Sequence, residues 1–338
     1  MNAPTNARTF DATDAVRSTV PLLVGLSGPS NGGKTYSALR LAKGIQEVTG
    51  GDIYGIDTEA RRMLHYADMF KFKHMPFRAP FGSLDYLAAL DHCTKMGAKV
   101  ILVDSMSHEH EGPGGLLDFH LKELDRLAGD DWAKRERVNM LAWQKPKQAR
   151  RRLINGILQM EANFIFCFRA KNTAKPVKND KGKTEVVPQG YMPIAGEEFV
   201  FEQTVNALLL PGAKGVPTWA SGFVGEKQMI KLPEQFRGIF AESKPLDENI
   251  GRALATWARG GDAPAAPAEN DLLDEGRREA TNGKAALEAW WKKIGKAARV
   301  RLAGELDALK TAAQKADESS SGEDVPFDDE APATAEAS

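Results

Sequence analysis

Cysteine is scarce in this sequence. Cys93 and Cys167 are the only two among 338 residues, and they are far apart and lack the spacing of metal ligands. A disulfide framework and a cysteine-rich zinc site are therefore excluded. Both cysteines lie in largely apolar segments, so we expect buried, reduced thiols.

Long apolar runs are also missing. Residues 1–19 are polar and lack the apolar run of a signal peptide, and no apolar run approaches the length of a transmembrane helix. The formal net charge of −1 gives no overall excess of positive charge that would indicate a nucleic-acid or membrane partner. We therefore expect a soluble, cytoplasmic protein without a membrane partner.

Basic residues are absent from the C-terminal end. After Lys315 there is none, whereas residues 317–338 contain eight acids, so we expect a disordered acidic tail there. Glycine, proline and alanine dominate the start of the stretch 260–271, which indicates a linker. The predicted domains are a flexible arm (1–20), a main domain (21–259), the linker (260–271), a small helical unit (272–316) and the tail (317–338).

Short apolar runs alternate with segments of helical spacing. This alternation predicts an α/β fold whose mainly parallel sheet is flanked by helices. The predicted strands are 21–26, 53–56, 99–103, 163–168 and 205–210, and the predicted helices are 35–48, 84–96, 116–127 and 148–160.

A glycine-rich segment lies between the first predicted strand and the first predicted helix. It has the spacing G-x-x-x-x-G-K-T of a phosphate-binding P-loop and runs Gly28, Pro29, Ser30, Asn31, Gly32, Gly33, Lys34, Thr35, followed by Tyr36. Glycines let backbone N–H groups surround a phosphate, and the helix N-terminus favours the same anion. We expect Lys34 to reach the β- and γ-phosphates of ATP, or a close relative, and Thr35 to ligate Mg²⁺. The alternative is a glycine-rich turn with an incidental lysine.

Three more strand ends carry candidate catalytic residues. Asp104 ends an apolar strand and suits a Walker B carboxylate that orients Mg²⁺. Glu59, in the turn Asp57-Thr58-Glu59, suits a general base that activates water. Arg169, with Lys171 nearby, suits a cation that senses the γ-phosphate. The alternatives are a polar turn at Asp104, a solvated acidic turn at Glu59 and an exposed basic pair at Arg169.

Taken together, the motifs resemble the RecA-type recombinase fold. More narrowly, the chain is similar to phage-encoded, RecA-like ATPases linked to single-strand annealing and recombination. In that family the acidic turn carries the catalytic glutamate, as Glu59 would, and the Walker B strand ends in Asp-Ser, as Asp104-Ser105 does. The family's sensor is usually a glutamine, where this sequence has Arg169. The resemblance covers roughly residues 21–258.

The resemblance implies several further properties. It implies a RecA-like P-loop fold and a magnesium-dependent, DNA-stimulated ATPase. It also implies an ATP site completed by cations of a neighbouring subunit, and hence a homo-oligomer, in the cytoplasm of a bacterial host if the protein is phage-encoded. In that family a DNA-binding loop follows the sensor strand.

Two basic stretches are candidates for DNA contact. The first follows Arg169 and would bind single-stranded DNA through its phosphates, unless it is a solvated hairpin. Its lysines are Lys171, Lys175, Lys178, Lys181 and Lys183. The second could bind phosphates, supply a cation to a neighbour's ATP, or be a solvated helix face. It comprises Lys145, Lys147, Arg150, Arg151 and Arg152.

Three remaining features have more than one interpretation. His108-Glu109-His110-Glu111 lacks the histidine spacing of a zinc helix, so a polar loop near the nucleotide is expected instead of a metal site. Trp290-Trp291 suits the core of the small helical unit better than a base-stacking platform. Val325-Pro326-Phe327 lies among acids and resembles the acidic tips with which single-stranded-DNA-binding proteins recruit recombination or replication partners.

Two other functions fit the same residues. A small-molecule P-loop kinase would need an arginine-rich lid and an acceptor pocket. A nucleotide-gated module that recruits partners through the acidic tail would bind ATP without significant hydrolysis.

Overall fold

The computed structural model describes residues 12, 14, 15, 17, 20–178, 182–240, 243–261, 269–295, 299 and 302–320. The chain divides into two compact units, Met1–Pro264 and Ala265–Ser338. Most of the predicted N-terminal arm and linker, and the tail from residue 321 onward, lie outside the described residues. No helix in the described ranges is long and apolar enough to cross a membrane.

The first unit alternates strands and helices along the chain. Its strands are β1 (Leu23–Gly28), β2 (Ile53–Asp57), β3 (Lys73–Pro76), β4 (Val100–Asp104), β5 (Asn163–Lys178), β6 (Thr184–Pro193) and β7 (Val205–Leu208). Its helices are α1 (Lys34–Thr49), α2 (Ser83–Lys95), α3 (His108–Glu111), α4 (Leu116–Ala128), α5 (Trp132–Ala142), α6 (Gln144–Ile157), α7 (Glu197–Phe201), α8 (Val224–Met229) and α9 (Glu248–Ala258).

Seven strands form the sheet of the first unit. Six lie in the order β3-β2-β4-β5-β1-β7 with parallel pairings, and β6 pairs antiparallel with β5. β1 and β4 are buried at every position, as expected for strands covered on both faces. The predicted α/β fold with a mainly parallel sheet is confirmed. The carboxyl ends of β1, β2 and β4 therefore meet at one edge, which Arg169 of β5 also reaches.

Each face of the sheet has its own apolar core. On one face, residues of β1 and β4 pack with α1 and α9, represented by Leu26, Leu41 and Leu254. On the other face, residues of β4 and β5 pack with α2 and α6, represented by Phe164, Leu90 and Leu153. The two cores hold the strand ends in fixed register.

Two of the differences between the first unit and the expectation have a physical reason in the packing. The strand predicted to end at 168 continues to Lys178, because β6 folds back along it and supplies hydrogen-bond partners from Ala170 onward. The helix α5 was not predicted, because most of its residues are exposed and its sequence has no apolar stripe.

The second unit contains three described helices. These are α10 (Glu269–Thr281), α11 (Lys284–Lys293) and α12 (Leu306–Ser320). Thus α10 begins inside the predicted linker, and α12 continues beyond residue 316 into the predicted tail. Trp290 is buried with Leu287, Leu309 and Ala313, so it serves the core of this unit, as expected.

Candidate functional site

The glycine-rich loop, residues 28–33, connects β1 to α1 and approaches another backbone closely. A Cβ atom on Gly28 would lie 2.2 Å from the carbonyl oxygen of Leu209, so a larger residue does not fit. Asn31 and Gly33 have φ angles of 65° and 87°, and Gly33 precedes the first residue of α1. Such left-handed positions favour glycine and asparagine, and they allow the turn into the N-terminus of the helix.

Lys34 folds its side chain back over this loop. Its Nζ donates hydrogen bonds to the carbonyl oxygens of Gly28, at 2.9 Å, and Pro29, at 2.7 Å. Burial lowers the pKa of Lys34, while the nearby Cys167, Asp104 and Glu59 act in the opposite direction. An ammonium group bound only by neutral carbonyls can exchange those partners for an anion.

Thr35 and Asp104 join the start of α1 to the end of β4. The Thr35 hydroxyl donates a hydrogen bond of 2.5 Å to Asp104 Oδ2. Burial raises the pKa of Asp104 to about 6, although the hydrogen bond from Thr35 opposes this shift. A hydroxyl and a carboxylate are oxygen ligands of the kind Mg²⁺ prefers, so the donor set fits this cation. No larger cluster of metal-binding side chains occurs among the described residues.

Glu59 and Arg169 form a bidentate ion pair between the ends of β2 and β5. Arg169 Nε and Nη2 donate to the two Glu59 carboxylate oxygens at 2.8 and 2.6 Å. The Glu59 side chain is 12% exposed, so this predicted base is engaged and largely shielded from water. The pairing brings together two predicted catalytic residues that are 110 positions apart in the chain.

Asp57 shapes the turn that presents Glu59. Its buried carboxylate accepts hydrogen bonds from the amides of Glu59 and Met63 and contacts His74 Nε2 at 3.0 Å. Because these contacts occupy the carboxylate, Asp57 positions the turn and is not available to act on a ligand.

Sequence reasoning missed a hydroxyl network next to this turn. The Thr58 hydroxyl accepts a hydrogen bond of 2.7 Å from the amide of Ser105 and lies 2.7 Å from His108 Nδ1. The Ser107 hydroxyl accepts a bond of 2.9 Å from the amide of Arg169. The network couples the ends of β2, β4 and β5. Its only signal in the sequence was the polar composition that follows Asp104.

Tyr36 lies at the start of α1 beside two other aromatic rings. Its ring is 5.8 Å from that of Tyr66 and 5.7 Å from that of Phe70, measured between centroids. Tyr36 is 38% exposed, so part of this aromatic surface faces solvent close to the glycine-rich loop. Tyr36 directly follows the P-loop motif in the sequence, whereas Tyr66 reaches it only through the fold.

Glu109 of α3 forms a buried ion pair with Arg150 of α6. Glu109 accepts from Arg150 Nη2 at 2.6 Å and from the Ser83 hydroxyl at 2.5 Å, and both charged side chains are less than 5% exposed. Arg150 Nη2 also contacts His110 Nδ1 at 2.9 Å. Arg150 is therefore unavailable to DNA or to a neighbour's ATP, and its inclusion in the second basic cluster is wrong.

Lys171, Lys175 and Lys178 lie on β5 of the hairpin β5–β6, and a hairpin was the alternative interpretation of that stretch. Lys171 and Lys175 are more than half exposed and form only long ion pairs, with Glu111 at 3.9 Å and Glu197 at 3.8 Å. Both line a groove of about 320 Å³. Lys178 and Lys183 are exposed as well, and Lys181 lies outside the described residues.

A second cavity, of about 350 Å³, opens beyond the ends of β2 and β3. Asp57, Thr58, Phe77 and the two arginines Arg61 and Arg78 line it. Both arginines are exposed, and neither has an ion pair within the described part of the chain. The two cysteines are elsewhere, in the apolar cores, and are buried free thiols as expected.

Comparison with known proteins gives no family for this chain: no protein-family model matches it, and no curated protein matches it. The functional assignment therefore rests on the geometry of the sheet edge and on its chemistry.

The buried pair of Arg150 and Glu109 yields a stability prediction. Arg150→Ala leaves the Glu109 carboxylate buried without its cation, which costs about 3–5 kcal/mol of unfolding free energy. Urea unfolding measures the loss. Arg151→Ala, at the exposed neighbouring position, is the matched control and should change stability by less than about 0.5 kcal/mol. Equal unfolding midpoints for the two variants would contradict this assignment.

Asp104 yields a prediction about pH. Its folded pKa of about 6 lies above that of an unfolded aspartate, about 3.9, so the wild type loses stability as pH rises between these values. Asp104→Asn removes this loss. Its stability advantage over wild type should grow by about 2 kcal/mol between pH 4.5 and 7.5. Urea unfolding at both pH values measures the change, and the exposed Asp68→Asn is the charge-matched control. An advantage independent of pH would show that the carboxyl is not perturbed.

Proposed function

We propose that this chain is a RecA-like P-loop ATPase that uses MgATP and acts on single-stranded DNA in phage recombination, annealing or replication. The observation that carries the proposal is the convergence of four side chains on one sheet edge. Lys34, Thr35, Asp104 and Glu59 come from α1, β4 and the turn after β2, and they surround the N-terminal end of α1. Each has the chemistry that ATP hydrolysis requires.

The glycine-rich loop and Lys34 bind the phosphates in this proposal. Backbone N–H groups of the loop and the N-terminus of the 16-residue helix α1 favour an anion. The Lys34 ammonium leaves the carbonyl oxygens of Gly28 and Pro29 and pairs with phosphate oxygens. Because Lys34 is partly buried, this pairing is stronger than it would be in water.

Thr35 and Asp104 would hold Mg²⁺, which would neutralise phosphate charge when bound. Their hydrogen bond of 2.5 Å places both oxygens next to each other before the cation arrives. Ionised Asp104 would be the ligand, so binding of the cation would oppose the protonation that burial favours.

Glu59 and Arg169 carry the chemical step. Glu59 accepts a proton from water, whose oxygen bonds to the γ-phosphorus while the bond from phosphorus to the ADP oxygen breaks. Arg169 must release at least part of its bidentate contact for Glu59 to take that role. The γ-phosphate is the natural competitor for the guanidinium, so the ion pair keeps the base inactive until nucleotide is bound.

The strand order supports this division of roles. β5 lies between β1 and β4, so Arg169 extends from a strand that neighbours both the glycine-rich loop and the Asp104 strand. One cation can therefore respond to the γ-phosphate and also contact the base. Since β5 continues into the hairpin, a shift of Arg169 is linked covalently to Lys171 and Lys175.

The hairpin β5–β6 is the proposed DNA-binding element. Its exposed lysines would bind phosphates without sequence preference. We further propose a cytoplasmic homo-oligomer in which a neighbouring subunit completes the ATP site, as the resemblance implies, with recombination or replication proteins recruited through the acidic tail.

One observation favours a second candidate, a small-molecule P-loop kinase. The cavity with Arg61 and Arg78 lies beside the turn of Glu59 and has room for an acceptor. An acceptor screen separates the two functions. A kinase transfers the γ-phosphoryl group to an added small molecule, whereas an ATPase releases phosphate without one.

Hydrolysis tests the proposed roles of Lys34 and Glu59. Glu59→Gln removes the base, so phosphate release should fall about 10²–10⁴-fold while ATP binding persists. Lys34→Ala should lose both binding and hydrolysis. Binding is measured with a fluorescent ATP analogue and release with a phosphate sensor. Lys43→Ala, an exposed lysine of the same helix, is the control for charge. Wild-type ATP binding with negligible turnover would favour the partner-recruiting module.

Salt-dependent DNA binding tests the hairpin. The double variant Lys175→Glu/Lys178→Glu should bind single-stranded DNA more weakly. The slope of log affinity against log salt should fall by about 1.4, or 0.7 for each lost phosphate contact. Anisotropy of a labelled oligonucleotide measures both quantities. Lys122→Glu/Lys134→Glu makes the same charge change at exposed positions on α4 and α5. Equal losses in both double variants would remove the hairpin from DNA binding.

A further inference from the structure

The second unit has an apolar groove between α11 and α12, which we call the Trp291 groove. Its volume is about 440 Å³. Leu287, Trp291 and Leu306 form its apolar wall, and Trp291 is only partly covered by its own unit. The remaining lining residues are Lys284, Glu288, Lys292, Lys310 and Gln314.

The rim of the Trp291 groove is positively charged. Lys284, Lys292 and Lys310 are exposed, and Glu288 is the one acid among the residues that line the groove. The ion pair of Lys310 with Asp307 is 4.0 Å long and solvent-exposed, so it offers little competition. An apolar floor with a cationic rim fits a short peptide that carries an aromatic side chain between acids.

The chain contains a segment with this chemistry immediately after α12. Residues 323–330 read Glu-Asp-Val-Pro-Phe-Asp-Asp-Glu. Two acids therefore precede Val-Pro-Phe, and three acids follow Phe327 directly. No lysine or arginine follows Lys315, so nothing in the tail repels the cationic rim. Pro326 also lowers the conformational freedom that the segment loses on binding.

The path of the chain makes this segment a feasible ligand in cis. Asp317 Oδ2 accepts a hydrogen bond of 3.2 Å from the amide of Lys284, so α12 ends beside the lysine at one side of the groove. Lys310 and Ser320 are ten helical residues apart, about 15 Å. The seven residues from Ser320 to Phe327 span up to about 23 Å when extended. The tail therefore reaches the groove of its own chain.

We propose that residues 323–330 bind in the Trp291 groove of the same chain. Phe327 packs on Trp291 and Leu306, while the flanking acids pair with Lys284, Lys292 and Lys310. A tether this short gives an effective concentration in the millimolar range, so even a weak contact is mostly occupied. The groove then masks the acidic segment until a partner competes for it. This inference is independent of the proposed ATPase function.

A competition experiment on the full-length chain tests the proposal. Phe327→Ala removes the anchor and empties the groove. A fluorescein-labelled peptide of residues 321–332 should then bind this variant at least about tenfold more tightly than it binds wild type, where the tail competes. Anisotropy measures both affinities. Equal affinities for the two chains would overturn occupancy by the tail, and so would an absence of binding to Phe327→Ala.

Charge variants in the Phe327→Ala background locate the binding site. Adding Lys310→Glu should weaken peptide binding, and the effect should shrink at higher salt. Adding Lys315→Glu makes the same charge change on α12 outside the groove and should have little effect. Circular dichroism verifies that both variants keep their helices. Equal effects of the two changes would mean that the peptide does not use the groove.

The mass in solution separates binding in cis from binding to a second copy. In the proposed arrangement, wild type and Phe327→Ala have the same mass by light scattering at every concentration. A lower mass for Phe327→Ala would show that the groove takes the tail of another chain and would overturn the proposal in cis.

Discussion

The hydrogen bond between Thr35 and Asp104 is the contact on which the candidate site depends. It joins the first turn of α1 to the end of β4 across the position of β5. The carboxylate is buried, and its pKa is raised because burial disfavours the charge. Such an oxygen needs a donor or a cation, and the strand order of this sheet brings the Thr35 hydroxyl to it next to the glycine-rich loop. The two cores on either face keep these strand ends in register.

Charge at this edge is balanced within the protein itself. Arg169 neutralises Glu59. Lys34 donates hydrogen bonds to neutral carbonyl oxygens, and Asp104 accepts a hydrogen bond from the Thr35 hydroxyl. A charged group that enters this site competes with the existing partners of these side chains, because charge-assisted hydrogen bonds are strong. A polyphosphate with a divalent cation supplies one partner for each cation and each anion. The proposed nucleotide would therefore compete for Arg169 and alter the Glu59–Arg169 ion pair, which would not stay as it is without nucleotide.

The basic side chains elsewhere in the chain fall into two groups that differ in burial. The buried ones have structural roles, and the exposed ones lie at the surface. Arg150 has its charge satisfied by Glu109 inside the unit, so it contributes to stability. Lys171 and Lys175 keep long, exposed ion pairs that cost little to break. The lysines of the Trp291 groove belong with the exposed group, which leaves them available to a polyanionic segment.

The sequence by itself determined the α/β class, the glycine-rich loop, the acidic strand ends and the buried thiols, because these follow from local spacing and apolar periodicity. Only the tertiary structure decided that Arg169 pairs with Glu59, that Arg150 is buried and that Tyr36 meets Tyr66. Those contacts join residues tens of positions apart, and strand order sets them. The extension of β5 likewise depends on β6 folding back along it. Local sequence specifies which backbone forms, whereas long-range packing specifies which side chains meet.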